Sequence, residues 1–167
     1  HKGTYEKKSK EGTVIIENPI FIRKILRFKG HGQVENIKQL LSQYPNSKVI
    51  ADSSHVGAEF VRQLRENQIT VDAQDFKPAN RNMLLMNLRR LLDQKRLVIP
   101  NKGDQIFLIN RLLHELSGFE QARTTAGMET WKSTADHDDI AISLALAVKH
   151  VGSPKQMVQN LFYIIQN

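Results

Sequence analysis

One stretch limits the possible folds more than any other: "SKVIADSSHVGAEFVRQLRENQITVDAQDF", residues 47–76. The run Val49-Ile50-Ala51 is short, apolar and partly β-branched, as a buried strand is, and it stops abruptly at Asp52-Ser53-Ser54. A helical period follows, with Phe60, Val61 and Leu64 on one face, and "ITVDAQDF" then reads as a second strand. A strand, a helix and a strand in so few residues require the helix to cover the sheet it joins, which is the unit of an α/β layer fold. In such sheets, sites form where strands end and loops feed into helices. Asp52 stands at such an end.

The remaining segments extend this pattern. "GTVIIENPIFIRKILRF" predicts strands over Thr13–Glu17 and Ile20–Phe28, separated by the turn signal Asn18-Pro19. "VENIKQLLSQY" puts Val34, Ile37, Leu40 and Leu41 on one helical face. "PANRNMLLMNLRRLLDQKRL" has Leu84, Leu88, Leu91 and Leu92 at helical spacing, followed by a brief extended "VIP". "DQIFLINRLLHELSGF" predicts a helix ending near Gly118, and "ARTTAGMETWKSTAD" an irregular or briefly extended piece. Two closing helices are predicted, "DDIAISLALAVKH" and "PKQMVQNLFYIIQ", the second opening on a proline where a missing amide donor does no harm. The 167 residues suffice for a single domain spanning 1–167 with a proper core, an α/β mixed sheet flanked by helices.

Charge suggests the partner. The net charge is +7, and residues 1–30 carry eight Lys/Arg against three Glu, a balance suited to a polyanion and equally available as a solvated basic face. Cysteine is absent, which excludes disulfides and thiolate metal sites, and no apolar run is long enough to span a bilayer. The N-terminal "HKGTYEKKSKEG" has no apolar signal core, so an intracellular protein without a membrane association is expected. There is no G-x-x-x-x-G-K-[ST] phosphate loop and no G-x-S-x-G nucleophile elbow.

The acids are then the candidates for chemistry. Asp52 emerges beside the core and needs a cation, a helix N-terminus or a metal; the alternative is that Asp52 or Ser53 caps the following helix. Asp138 and Asp139 open an otherwise apolar helix, where they suit its dipole. Adjacent residues project about 100° apart on a helix, so at least one acid lies near the core edge if Ile140, Leu144 and Val148 face inward. His137 and His55 are possible ligands or loop residues. Ala-rich "AISLALA" lets this helix approach a sheet closely.

In their order, "VIADSSHVG", "DFKPANRNMLLMNLRRLLDQKRLVIP", "LINRLLHELSGFE" and "HDDIAISLALA" resemble the nuclease domain of phage and viral terminase large subunits. That family is a branch of the RNase H-like superfamily, and the matching elements cover nearly all of residues 11–150. The resemblance implies a metal-dependent endonuclease that cuts double-stranded viral DNA during genome packaging, in the cytoplasm of the host cell. By position it assigns Asp52 as the middle-strand acid and Asp138 as the last-helix acid, with Asp139 accessory and His137 near the scissile phosphate. Two Mg²⁺ or Mn²⁺ ions would be held by Asp52, Asp138 and Asp139, roughly 3.5–4 Å apart. Without metal the three acids should repel one another. Lys7, Lys8, Lys10, Lys77, Arg81 and Lys102 are the candidates for phosphate contacts. The family also implies an ATPase motor domain upstream, a portal and a small terminase subunit as partners.

The chain departs from the family in one respect. The family's first acid lies on an opening central strand, and residues 1–50 contain no Asp. That strand is expected upstream of His1, with Glu17 on "TVIIE" the weaker substitute. Other RNase H-like enzymes, such as Holliday-junction resolvases or transposases, and a non-catalytic basic nucleic-acid-binding module, are the alternative readings.

Overall fold

A computed structural model describes residues 4–9, 12–28, 32–101, 103–123, 127, 129–151 and 161–165. Strands β1 (Thr4–Ser9) and β2 (Gly12–Glu17) form an antiparallel hairpin. Strand β3 (Ile20–Arg27) pairs in parallel with β6 (Leu97–Val98) on one side and with β9 (Leu161–Ile165) on the other. Helix α1 (Gln33–Gln43) leads to β4 (Val49–Asp52), which pairs in parallel with β5 (Val71–Gln74) across helix α2 (Val56–Glu66). Helix α3 (Pro78–Asp93) precedes β6, and helix α4 (Ile106–Ser117) follows it. An antiparallel hairpin, β7 (Phe119–Arg123) with β8 (Glu129–Ser133), leads into helix α5 (Asp139–Ala147) and a 3₁₀ turn, Val148–His150. This is the mixed α/β architecture expected from the sequence.

Most apolar positions expected inward are buried, with Val34, Leu41 and Leu92 partly so. Phe60, Val61 and Leu64 of α2, Ile37 and Leu40 of α1, and Leu84, Leu88 and Leu91 of α3 are all buried. The buried residues fall into two clusters. One joins α1 and α2 through Ile37, Phe60, Leu64 and Ile69; the other joins β3, α3, α4 and α5. Strand β4 lies between them, because alternate side chains of a strand point to opposite faces. Val49 packs on the first cluster and Ile50 on the second. Asp52, two residues beyond Ile50, therefore shares the face that looks toward α5. Helix α5 buries Ile140, Ala141, Leu144, Ala145, Leu146 and Ala147, and packs against α3, α4, β4 and β9, the close approach its small residues allow.

One segment differs from the sequence expectation. Residues 161–165 form a strand where "PKQMVQNLFYIIQ" predicted a helix. Leu-Phe-Tyr-Ile-Ile is rich in residues that favour a pleated surface, and a parallel partner in β3 outweighs the local helical spacing. The stretch after Gly118, expected to be irregular or briefly extended, holds the β7–β8 hairpin, and "TYEKKS", for which no element was expected, forms β1 through its pairing with β2.

The C-terminal end of α5 is tied to β5 by charge. Asp72 accepts from Lys149 Nζ at 3.3 Å and meets His150 Nε2 at 2.6 Å. Burial pushes the Asp72 carboxyl up, but hydrogen bonds from His150 and Lys149 outweigh it and hold the group below its ordinary value. A depressed carboxyl contributes stability above the unfolded-state pKa, and that contribution is lost as pH falls through the folded value, here below about pH 4. Because the Asp72 side chain is 34% exposed, solvent screening limits the effect to about 1 kcal/mol at neutral pH. Asp72→Asn should lower the urea midpoint at pH 7 and converge with the parent protein in acid. Equal losses at both pH values would contradict this.

Candidate catalytic acids at a strand end and a helix start

The polar turn after β4 is built on backbone contacts. Asp52 Oδ1 accepts from the Ser54 amide at 2.7 Å, and Ser53 N donates to the Gln74 carbonyl at 2.8 Å. Ser54 Oγ accepts from Phe76 N at 2.8 Å, linking this turn to the segment that starts α3. Helix α2 follows His55, whose φ of 44° marks a tight backbone reversal and which makes no side-chain capping bond. The capping role open to Asp52 or Ser53 is thus not filled, and Asp52 stays half-buried at the strand end. Gly57 makes this turn possible: a Cβ there would lie 2.3 Å from the Asp52 carbonyl oxygen and 2.9 Å from its carbon. Both are backbone atoms, so Gly57→Ala must push α2 away from β4. The expected cost is about 2–3 kcal/mol in urea denaturation; an unchanged midpoint would contradict it.

At the other acid pair, the cap of α5 comes from elsewhere. Asp138 is the N-cap residue by position but makes no side-chain capping bond. Instead Glu115, buried inside α4 at 1% exposure, accepts through Oε2 from Ile140 N at 2.8 Å and Ala141 N at 2.9 Å. Its other oxygen accepts from Arg111 Nε at 2.9 Å. A buried carboxylate with two amide donors and a guanidinium partner is well satisfied. Glu115, not among the residues expected from the sequence, left a signal there: an acid continuing the inward stripe of Leu108 and Leu112 at helical spacing.

With the cap supplied, the Asp138 carboxylate turns to Arg81, one turn into α3, whose Nη2 donates to Oδ2. The same guanidinium contacts the Trp131 carbonyl on β8 at 3.4 Å. Asp139 has Arg111 Nη2 at 3.9 Å. The repulsion expected among unpaired acids is therefore offset by an arginine beside each member of the α5 pair. From Asp52 the chain of contacts runs through Ser54 and Phe76 to the start of α3, and through Arg81 to Asp138.

The other expected residues are placed as follows. His137 is exposed just before α5, and His55 is exposed at the start of α2. Glu17 is exposed at the end of β2, beside a cleft lined by Asn18, Lys95 and Arg96. Lys7 and Lys8 are exposed on β1, and Lys77 pairs with Asp75 at 3.0 Å. Lys10 and Lys102 lie outside the described residues. Carboxylates are the hard oxygen donors that Mg²⁺ and Mn²⁺ take, so Asp52, Asp138 and Asp139 fit such an ion chemically. Among the described residues, however, no three His, Asp or Glu are gathered closely enough to hold one.

Strand ladders and covering helices make this a mixed α/β domain that matches RNase H-like structural neighbours. The solved structures similar to it are nuclease domains of phage large terminases, and the resemblance read from the sequence holds in three dimensions. The large terminase nuclease from thermophilic phage G20c shares 28% identity, with a TM-score of 0.59, over 73% of this chain and 64% of that one. Its structure with bound magnesium shares 29% identity, with a TM-score of 0.57, over 70% and 59%. The Thermus phage P74-26 large terminase nuclease domain has the same fold at 21% identity, with a TM-score of 0.59, over 93% and 82%. This chain thus spans less than two thirds of those two G20c chains. No protein-family model and no curated protein matches the sequence.

Proposed function

We propose that this chain is the nuclease domain of a phage large terminase, a divalent-metal-dependent endonuclease that cuts double-stranded DNA during genome packaging in the host cell cytoplasm. The observation that carries this reading is the α5 acid pair. Glu115 takes over the capping, so Asp138 is held half-buried at a helix start with no structural duty to that helix. A half-buried acid released from capping, in a fold shared with metal-bound nucleases, is suited to hold a cation.

In this reading Asp52, Asp138 and Asp139 hold Mg²⁺ or Mn²⁺, two ions in all. Bound cations would activate the attacking water and stabilise the leaving oxygen. His137 stands beside the scissile phosphate. Lys7, Lys8, Lys10, Lys77 and Lys102 position the backbone of the duplex through its phosphates, while Arg81, also a candidate, is paired with Asp138. An ATPase motor, a portal and a small terminase subunit complete the assembly. Among the described residues no helix is long and apolar enough to cross a membrane.

Incubation with supercoiled plasmid tests the proposal. Nicked and linear products in Mn²⁺ or Mg²⁺, suppressed by a chelator and formed on unbranched DNA, are the expected result. Binding without cutting in either metal would overturn it in favour of a non-catalytic module. Cutting confined to branched DNA would favour a junction resolvase.

A further inference from the structure

Arg81 is one of the candidate phosphate contacts, yet its guanidinium is engaged inside the protein. It reaches from the first turn of α3 to Asp138 Oδ2, and both side chains are about a quarter to a third exposed, at 31% and 26%. The Trp131 carbonyl gives the same guanidinium a second acceptor, and Trp131 in turn lies under Arg89, 5.3 Å from ring centroid to guanidinium carbon. The start of α3, the β8 strand and the start of α5 thus meet at one cation.

We propose that Arg81 is the internal counter-ion of Asp138 in the metal-free protein and is exchanged for the divalent cation when the site loads. The proposal rests on Asp138 being a metal ligand. A half-buried carboxylate needs compensating positive charge, and a fixed guanidinium provides it by a charge-assisted hydrogen bond. An incoming cation makes the same carboxylate its ligand, so the two positive groups compete for one oxygen. Arg81 therefore stabilises the empty site and weakens metal binding. Arg81 differs in this from a residue that merely braces the fold, whose loss would weaken the site in both states.

The test is Mn²⁺ binding, read from the free-ion signal in electron paramagnetic resonance. Arg81→Gln removes the competitor and should bind Mn²⁺ about tenfold more tightly than the parent, the factor corresponding to one hydrogen bond between charged groups. Arg81→Lys keeps the charge but loses the fork, and should fall between the two. It also serves if the glutamine variant does not fold. Asp138→Asn should abolish the high-affinity ion. Unchanged or weaker Mn²⁺ binding in both Arg81 variants, with Asp138→Asn still defective, would overturn the counter-ion exchange alone. Unaltered binding in Asp138→Asn would overturn the ligand assignment and this proposal with it.

Discussion

Asp138→Asn is expected to reduce Mn²⁺-dependent plasmid nicking by at least about 100-fold, the upper range of losses seen when only an outer partner of a metal ligand is removed. The substitution keeps the shape of the side chain and removes its charge. Helix α5 should be unaffected, because its first amides are held by Glu115 and not by Asp138. Loss of the half-buried Arg81 pair costs about 1 kcal/mol at most. Duplex binding at fixed salt should be retained or strengthened, since a negative charge disappears beside Arg81. A folded variant that binds DNA but cannot nick it would separate catalysis from binding. Nicking at the parental rate would remove Asp138 from the chemistry.

The largest effect on stability is expected at Glu115. Its carboxylate serves two backbone amides of α5 and the Arg111 guanidinium from an almost fully buried position. Glu115→Ala leaves these donors without their acceptor and opens a cavity between α4 and α5. Breaking one partner out of such a buried arrangement costs about 3–5 kcal/mol. That is a large share of the 5–15 kcal/mol or so that holds a typical domain together. Glu115→Gln should cost less, because its carbonyl oxygen still accepts from the amides while only the charge toward Arg111 is lost. Urea denaturation of the two variants checks the order. A loss in Glu115→Ala below about 1 kcal/mol would show that α5 is held by its apolar packing alone.

Much of this arrangement was legible in the sequence because it is local. Helices α2, α3 and α5 present apolar residues at a regular period, and the residues expected inward are buried except Leu92, which is partly so. Asp52 was legible because a strand's apolar run must stop somewhere, and the residue that stops it stands at the sheet's edge. What could not be read was whatever depends on distant pairing. Leu161–Ile165 looked like the end of an amphipathic helix; its neighbour β3 lies well over a hundred residues upstream. Strands β1, β7 and β8 are polar enough to pass for loops, and each is made a strand by its hairpin partner.

The acids show the same division. Their positions at a strand end and a helix start followed from hydrophobic pattern, whereas their partners did not. Arg81 and Asp138 are 57 residues apart, and the pairing that compensates Asp138 has no trace in either local sequence. Glu115 left a fainter mark, an acid in phase with an apolar stripe, which is a cue for a satisfied buried carboxylate. Arg81 illustrates the limit of charge counting: a residue taken as surface cation turns out to be spoken for.

The central claim is that Asp52 and Asp138, from a strand and a helix far apart in the chain, serve one cation-holding centre. Anomalous diffraction from crystals soaked in Mn²⁺ addresses it directly. A manganese peak is expected within direct coordination distance of carboxylate oxygens from both residues, with the Arg81 guanidinium displaced from Asp138. Manganese bound only at unrelated surface carboxylates, with Asp138 still paired to Arg81 and Asp52 untouched, would contradict it.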